Sequence, residues 1–244
     1  MNTQEPVKMA NDTNPAVEIK NLSRNFGTFE ALKNLSLTVR TGETLAIFGH
    51  NGAGKTTLLK ILSTVMKPTA GEVYYNGLNI TTGAENIRRL LGIVSHRSFL
   101  YLSLTAYDNL VFYSRLYGVA GYDGRIKLLL NHLGLRSRMY DKVGTFSRGM
   151  SQRLAIARAL LHRPKVLLMD EPESGLDSFA VDALWQLAGE DSRTVIFTHH
   201  NLERGYRVAS RVAIMARGRM FFCPDGKCSP GELEKAYASS LETA

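Results

Sequence analysis

The sequence predicts an α/β fold: a largely parallel sheet flanked by helices, with a small antiparallel β subdomain and an inserted helical subdomain. Three observations carry this. Short apolar runs (Glu43–Phe48, Val166–Met169, Thr194–Phe197 and Val212–Met215) read as buried parallel strands. They alternate with helical stretches, as a crossover-connected sheet requires. Between about Thr105 and Leu161 the pattern turns helical, with Leu110, Tyr113, Leu116 and Tyr117 on one predicted face.

Taken in order, residues 1–15 are polar, lack the apolar middle of a signal peptide and read as a flexible tail. Val17–Leu22 and Leu35–Val39 alternate like exposed strands, with Asn25-Phe26-Gly27 as the loop between them. Glu43–Phe48 runs into a glycine-rich loop, and Thr56–Val65 follows with helical spacing. Glu72–Tyr75 and Leu78–Ile80 flank Asn76-Gly77, a strong hairpin signal. The predicted main domain spans 16–222, with its core at about 16–95 and 162–222 and the helical subdomain at about 97–161. Residues 223–244 are expected to form a C-terminal tail.

Composition narrows the function. An apolar share of 44 % supports a sizeable core. No run approaches the ~18 apolar residues of a membrane helix, so the chain reads as cytoplasmic. The formal charge of +8 comes without an aromatic-basic stripe, and no nucleic-acid partner is expected. Cys223 and Cys228, a C-x4-C pair with no further cysteine or nearby histidine, make a poor zinc site.

Gly49-His50-Asn51-Gly52-Ala53-Gly54-Lys55-Thr56, followed by Thr57, fits G-x-x-x-x-G-K-[ST] at every fixed position, between a predicted strand and helix. Glycines let the backbone turn several N–H groups onto one anion, and the helix start adds its positive end. Lys55 is placed for the β- and γ-phosphates of ATP, and the Thr56 hydroxyl for Mg²⁺. Asp170 and Glu171 close the Val166–Met169 strand, at the end of a parallel sheet where ligands bind. Asp170 suits Mg²⁺, which takes one or two carboxylates plus waters. Glu171 suits the polarisation of an attacking water. The plain alternative for this acid pair is a strand-ending turn helped by Pro172.

Phe146-Ser147-Arg148-Gly149-Met150 resembles the signature of ABC ATPases, usually Leu-Ser-Gly-Gly-Gln. Ser174-Gly175-Leu176-Asp177 is similar to their D-loop, and Thr198-His199-His200 to their switch-histidine loop. The likeness runs in order from about residue 17 to about 222. It implies a P-loop NTPase (RecA-like) core and a head-to-tail dimer, with the chain itself or a related ATPase. In that dimer Ser147, Arg148, Gly149 and Asp177 of one subunit would close on the ATP of the other. The resemblance also implies that Phe26 stacks on adenine, and that His200, which precedes Asn201-Leu202-Glu203, contacts the γ-phosphate; His199 is the alternative. Ser147 can equally be a plain helix cap.

Two departures stand out. Arg148 and Met150 replace Gly and Gln of the signature, and His96 stands where the family's Q-loop carries Gln. Imidazole is a poor Mg²⁺ ligand, so contact through water or with a membrane partner suits His96 better. The resemblance further implies polytopic membrane subunits and a peripheral place on the cytoplasmic side of the inner membrane. The signature variant, His96, Asp108–Tyr113 and His200–Gly205 are similar to the haem-exporter ATPases of bacterial cytochrome c maturation. Exporters of drug, lipid or polysaccharide, and a non-transport iron–sulfur assembly ATPase, are the alternatives.

Overall fold

The computed structural model describes residues 15–95 and 97–242. Strand β1 (Val17–Phe26) pairs antiparallel with β2 (Phe29–Val39) from Val17↔Val39 to Phe26↔Phe29. The hairpin is longer than its alternation indicates, because the two-residue turn is Gly27-Thr28, with Gly27 at φ 58°. Phe26 therefore ends a strand and is not in a loop. On its other side β1 pairs with β4 (Ala70–Tyr75), which turns into β5 (Leu78–Asn79). That turn holds Asn76 at φ 46° and Gly77 at φ 81°, both left-handed, as a type I′ turn needs. The resulting antiparallel sheet has the order β2-β1-β4-β5.

A second sheet of six strands has the order β10-β9-β3-β8-β7-β6. Its parallel members are β3 (Thr44–Phe48), β6 (Leu91–Val94), β7 (Val166–Asp170), β8 (Thr194–Thr198) and β9 (Arg211–Ala216). Strand β10 (Arg219–Phe222) adds antiparallel to β9. Every residue of β7, β8 and β9 is buried, which explains their unbroken apolar runs. Side chains still alternate between the faces. Leu167 and Met169 enter one core, and Val166 and Leu168 the other.

The second of these cores binds the antiparallel sheet and helix α1 (Lys55–Leu62) to one sheet face. The first core lies on the opposite face. Helix α2 (Ala84–Leu90) leads into β6. Between β6 and β7 come α3 (Ala106–Leu116), α4 (Tyr122–His132) and α5 (Arg148–Leu160). The inner face of α3 is Ala106, Asn109, Leu110 and Ser114, while Leu116 is exposed. The buried amide of Asn109 donates to the carbonyls of Tyr101 and Thr105, so a polar residue occupies the face that apolar spacing alone would assign differently. Helix α6 (Ser178–Ala188) precedes β8, and α7 (Leu202–Val208) follows it.

The segment expected as a C-terminal tail carries a thirteen-residue helix, α8 (Pro230–Glu242). Leu233 and Ser240 are buried, Ala236 and Tyr237 pack on the core, and the Tyr237 ring lies 5.2 Å from that of His50. Positions 233, 236, 237 and 240 are one helical face, so the sequence does carry this signal. Of the N-terminal stretch expected as a tail, residues 1–14 lie outside the described residues, as does His96.

Candidate functional site

The glycine loop leaves β3 at Gly49, whose φ is 147°, and enters α1 after Gly54, at φ 103°. A Cβ on Gly49 would sit 2.3 Å from the Met215 carbonyl oxygen, and one on Gly54 2.8 Å from that of Ala31. No larger residue fits either position without backbone movement. The Lys55 ammonium folds back over the loop, donating to the carbonyls of Gly49 at 2.5 Å and His50 at 3.0 Å. Burial draws its pKa below the usual lysine value, against the opposing pull of Glu171 and Asp170. A half-buried cation held over a turn of N–H groups is a preformed polyphosphate seat.

Asp170 ends β7 directly opposite Thr198, the last residue of β8. Its Oδ2 accepts from Thr56 Oγ1 at 3.0 Å and its Oδ1 from Thr198 Oγ1 at 2.7 Å. The same Thr198 oxygen accepts the backbone N–H of Glu171 at 3.0 Å. Glu171 has φ 50°, a left-handed conformation that a non-glycine residue adopts at a cost of roughly 1–3 kcal/mol. That conformation turns its carboxylate off the strand line, and Oε2 meets His200 Nδ1 at 2.6 Å. The sequence reading missed the tie made by Thr198. The available signal is a hydroxyl closing a strand whose middle residues are all apolar.

Phe26, Phe29, Ala31, residues 50–57, Asp170 and Glu171 together line one cavity of about 320 Å³. The loop, the aromatic and both acids, far apart in sequence, thus surround one space. The Arg24 guanidinium lies 4.7 Å from the Phe26 ring centroid, and Phe29 is a second exposed aromatic at this wall that sequence reasoning did not single out. Thr56 and Asp170 offer hydroxyl and carboxylate oxygens 3.0 Å apart on this wall. That donor set fits Mg²⁺.

Ser147, Arg148 and Gly149 form no part of that wall. Ser147 caps α5, its Oγ accepting from Met150 N at 3.2 Å. The start of α5 instead lies against the segment that follows Glu171 in the same chain. Arg148 donates to Ser174 Oγ at 3.2 Å, and Gln152 to the Pro172 carbonyl at 3.3 Å. A Cβ on Gly149 would meet the Gly175 carbonyl oxygen at 2.8 Å. Asp177 caps α6, accepting from Ala180 N at 2.8 Å.

The two adjacent histidines differ sharply. His200 is exposed, with 78 % of its side chain accessible, and touches Glu171. His199 is buried; its Nδ1 accepts from Asn201 N at 2.9 Å, and its Nε2 lies 3.3 Å from Glu173 Oε2.

A strand, a glycine loop and a helix bearing Lys55 and Thr56, with an acid pair closing a neighbouring strand, define a P-loop nucleotide-binding protein. The profile of the ABC transporter family matches residues 32–174, more than half of the chain, and the chain belongs to that family. It is 32 % identical over 216 residues to the ABC transporter ATP-binding protein NatA of Bacillus subtilis, covering 86 % of this chain and 85 % of NatA. A solved structure of the ATP-binding subunit of an ABC transporter superposes with a TM-score of 0.85 at 28 % identity, covering 93 % of this chain and 99 % of that one. The dimeric post-hydrolysis structure of the ATP-binding cassette MJ0796, bound to ADP and Pi, gives a TM-score of 0.76 at 30 % identity, covering 84 % and 96 %. The chain is thus an ABC ATPase subunit, with the nucleotide use and ATP hydrolysis of that family. Among the described residues no helix is long and apolar enough to cross a membrane.

Proposed function

We propose that the chain binds ATP between Phe26 and the loop Gly49–Thr57, hydrolyses it with Glu171, and drives export through a separate polytopic membrane subunit. One observation carries this reading: Phe26, Lys55, Thr56, Asp170 and Glu171 share the wall of a single cavity. Lys55 neutralises the β- and γ-phosphates. Thr56 and Asp170 would hold Mg²⁺, whose charge, when bound, stabilises the phosphate oxygens. Glu171 orients a water for in-line attack and takes its proton, and His200, hydrogen-bonded to Glu171, fixes the direction of that carboxylate.

Ser147, Arg148, Gly149 and Asp177 act on the ATP of a second subunit. Their absence from the chain's own cavity supports this, as does the dimer of the similar cassette MJ0796. The subunit is peripheral, on the cytoplasmic side of the inner membrane. The haem-export reading rests on the resemblance of Phe146–Met150, residue 96, Asp108–Tyr113 and His200–Gly205; the comparisons lend it no support. Loss of covalently haem-stained c-type cytochromes, with b-type cytochromes retained, in a deletion strain carrying Lys55→Ala is its test, and normal staining moves the cargo to drug, lipid or polysaccharide.

Glu171→Gln tests the hydrolytic assignment. ATP binding should persist while turnover falls at least ~10²-fold, as for a lost general base. Turnover within about threefold of wild type removes Glu171 from the role.

A further inference from the structure

The segment after Glu171 and the segment after β8 meet at a buried carboxylate that the hydrolytic scheme does not use. Glu173 exposes only 8 % of its side chain. Its Oε1 accepts from Trp185 Nε1 of α6 at 2.7 Å. Its Oε2 faces His199 Nε2 at 3.3 Å and Arg204 of α7 at 3.8 Å. The Nδ1 of His199 accepts the Asn201 N–H, so the ring proton sits on Nε2, on the side of the carboxylate. The contact with His199 comes first among the causes that hold the Glu173 carboxyl below the usual glutamate range, with Trp185 and Arg204 adding to it against burial.

Each end of this contact adjoins a functional group. Glu173 is two residues from Glu171 and next to Ser174, the acceptor of Arg148. His199 is next to His200, which touches Glu171. A buried carboxylate is retained only against compensating donors, and here the donors come from α6, α7 and the segment after β8. The two segments are also tied by the Glu171 N–H on Thr198 Oγ1 at 3.0 Å, by the Glu173–Arg204 ion pair at 3.8 Å, and by the exposed Glu171–His200 hydrogen bond itself. A bond between two mobile side chains holds its geometry only when the backbones beneath it are fixed.

We propose that Glu173 and His199 are positioning residues that lock the segment 171–177 to the segment 198–204, so that Glu171 and His200 are presented to the reaction as one unit and shift together with Arg148. This rests on the hydrolytic reading of Glu171 and His200 given above. It concerns neither catalytic contact with ATP nor the phosphate seat, and so predicts a loss in kcat without a loss in substrate binding.

The protein supplies its own probe. Trp185 is the single tryptophan of the chain, and its indole N–H is bonded to Glu173. Full-length wild type, Glu173→Gln, His199→Asn and the double variant are compared by tryptophan emission, thermal unfolding and steady-state ATPase with Mg²⁺. Glu173→Gln keeps side-chain volume but places an amide donor among donors. His199→Asn keeps an acceptor for Asn201 N–H and loses the contact with Glu173. Expected results are an emission shift in Glu173→Gln without nucleotide, and kcat lowered about 10-fold or more in each single variant with KM within about threefold. The double variant should be no slower than the slower single one, as coupled residues require. Folded variants whose kcat is unchanged, whose losses multiply, or whose KM alone rises overturn the proposal. Wild-type protein without ATP turnover refutes the hydrolytic reading, whereas intact wild-type turnover with unchanged kcat in folded variants refutes this inference alone.

Discussion

Replacing Thr198 by Val removes one hydroxyl from the interior and nothing else of similar size. That hydroxyl donates to Asp170 Oδ1 at 2.7 Å and accepts the Glu171 N–H at 3.0 Å, and Thr198 is wholly buried. A hydrogen bond to a charged acceptor contributes roughly 1.5–3 kcal/mol, and a backbone N–H left unsatisfied in the interior costs about 1–3 kcal/mol. Asp170 keeps its bond from Thr56, so the lower half of each range applies. A destabilisation of about 3 kcal/mol is expected, read as a fall in the urea midpoint at constant m-value. Glu171 also loses the bond that holds its left-handed backbone, and its carboxylate shifts from the cavity wall. Misplacement of a catalytic group by about 1 Å costs on the order of 10²-fold in rate. Turnover at saturating ATP should fall by that order, and Thr198→Ser should restore most of both losses. A Val variant within about 0.5 kcal/mol and about threefold of wild type would refute the claim that this hydroxyl holds the acid pair.

His162 stacks on Tyr117 with ring centroids 3.8 Å apart, makes a hydrogen bond from Nε2 to the Leu91 carbonyl at 3.0 Å, and has its pKa pushed down to about 4 by burial. Unfolded, it titrates near ~6.5. Below that pH the unfolded chain binds a proton that the folded chain refuses, so this stability is complete above ~6.5 and is lost as pH falls toward about 4. The whole shift corresponds to about 3 kcal/mol, and His162→Phe should flatten the urea-midpoint slope across that window. Gly149→Ala places a methyl group 2.8 Å from the Gly175 carbonyl oxygen, forcing α5 away from the segment after Glu171. ATPase activity should fall about 10-fold while nucleotide affinity, measured by fluorescent ATP analogue, stays put; unchanged turnover would refute the importance of that close approach.

The strands that build the core were legible because burial on both faces leaves no polar choices. Val166–Met169, Thr194–Phe197 and Val212–Met215 read as apolar runs and are β7, β8 and β9 with only their ends extended. The phosphate loop was legible for a different reason. Its conformation depends on backbone freedom at fixed positions, and only glycine supplies φ 147° at Gly49 or 103° at Gly54. Helix α8 carries a readable periodicity, but four inward positions in a polar stretch are a weak signal until a surface exists to receive them.

What the sequence determines by itself is therefore local: the run that must be a strand, the loop that must be glycine, and the types of side chain at the ends of both. Tertiary structure alone decides which of those ends meet. Strand order sets β8 beside β7, so Thr198 lies opposite Asp170 and ties Glu171, and no spacing along the chain announces that pairing. The same holds for the two histidines. They are neighbours in sequence, yet one points to Glu171 and is exposed while the other is buried against Glu173. Successive side chains leaving a strand end face opposite ways, and only the packing of the surrounding elements determines which way is out.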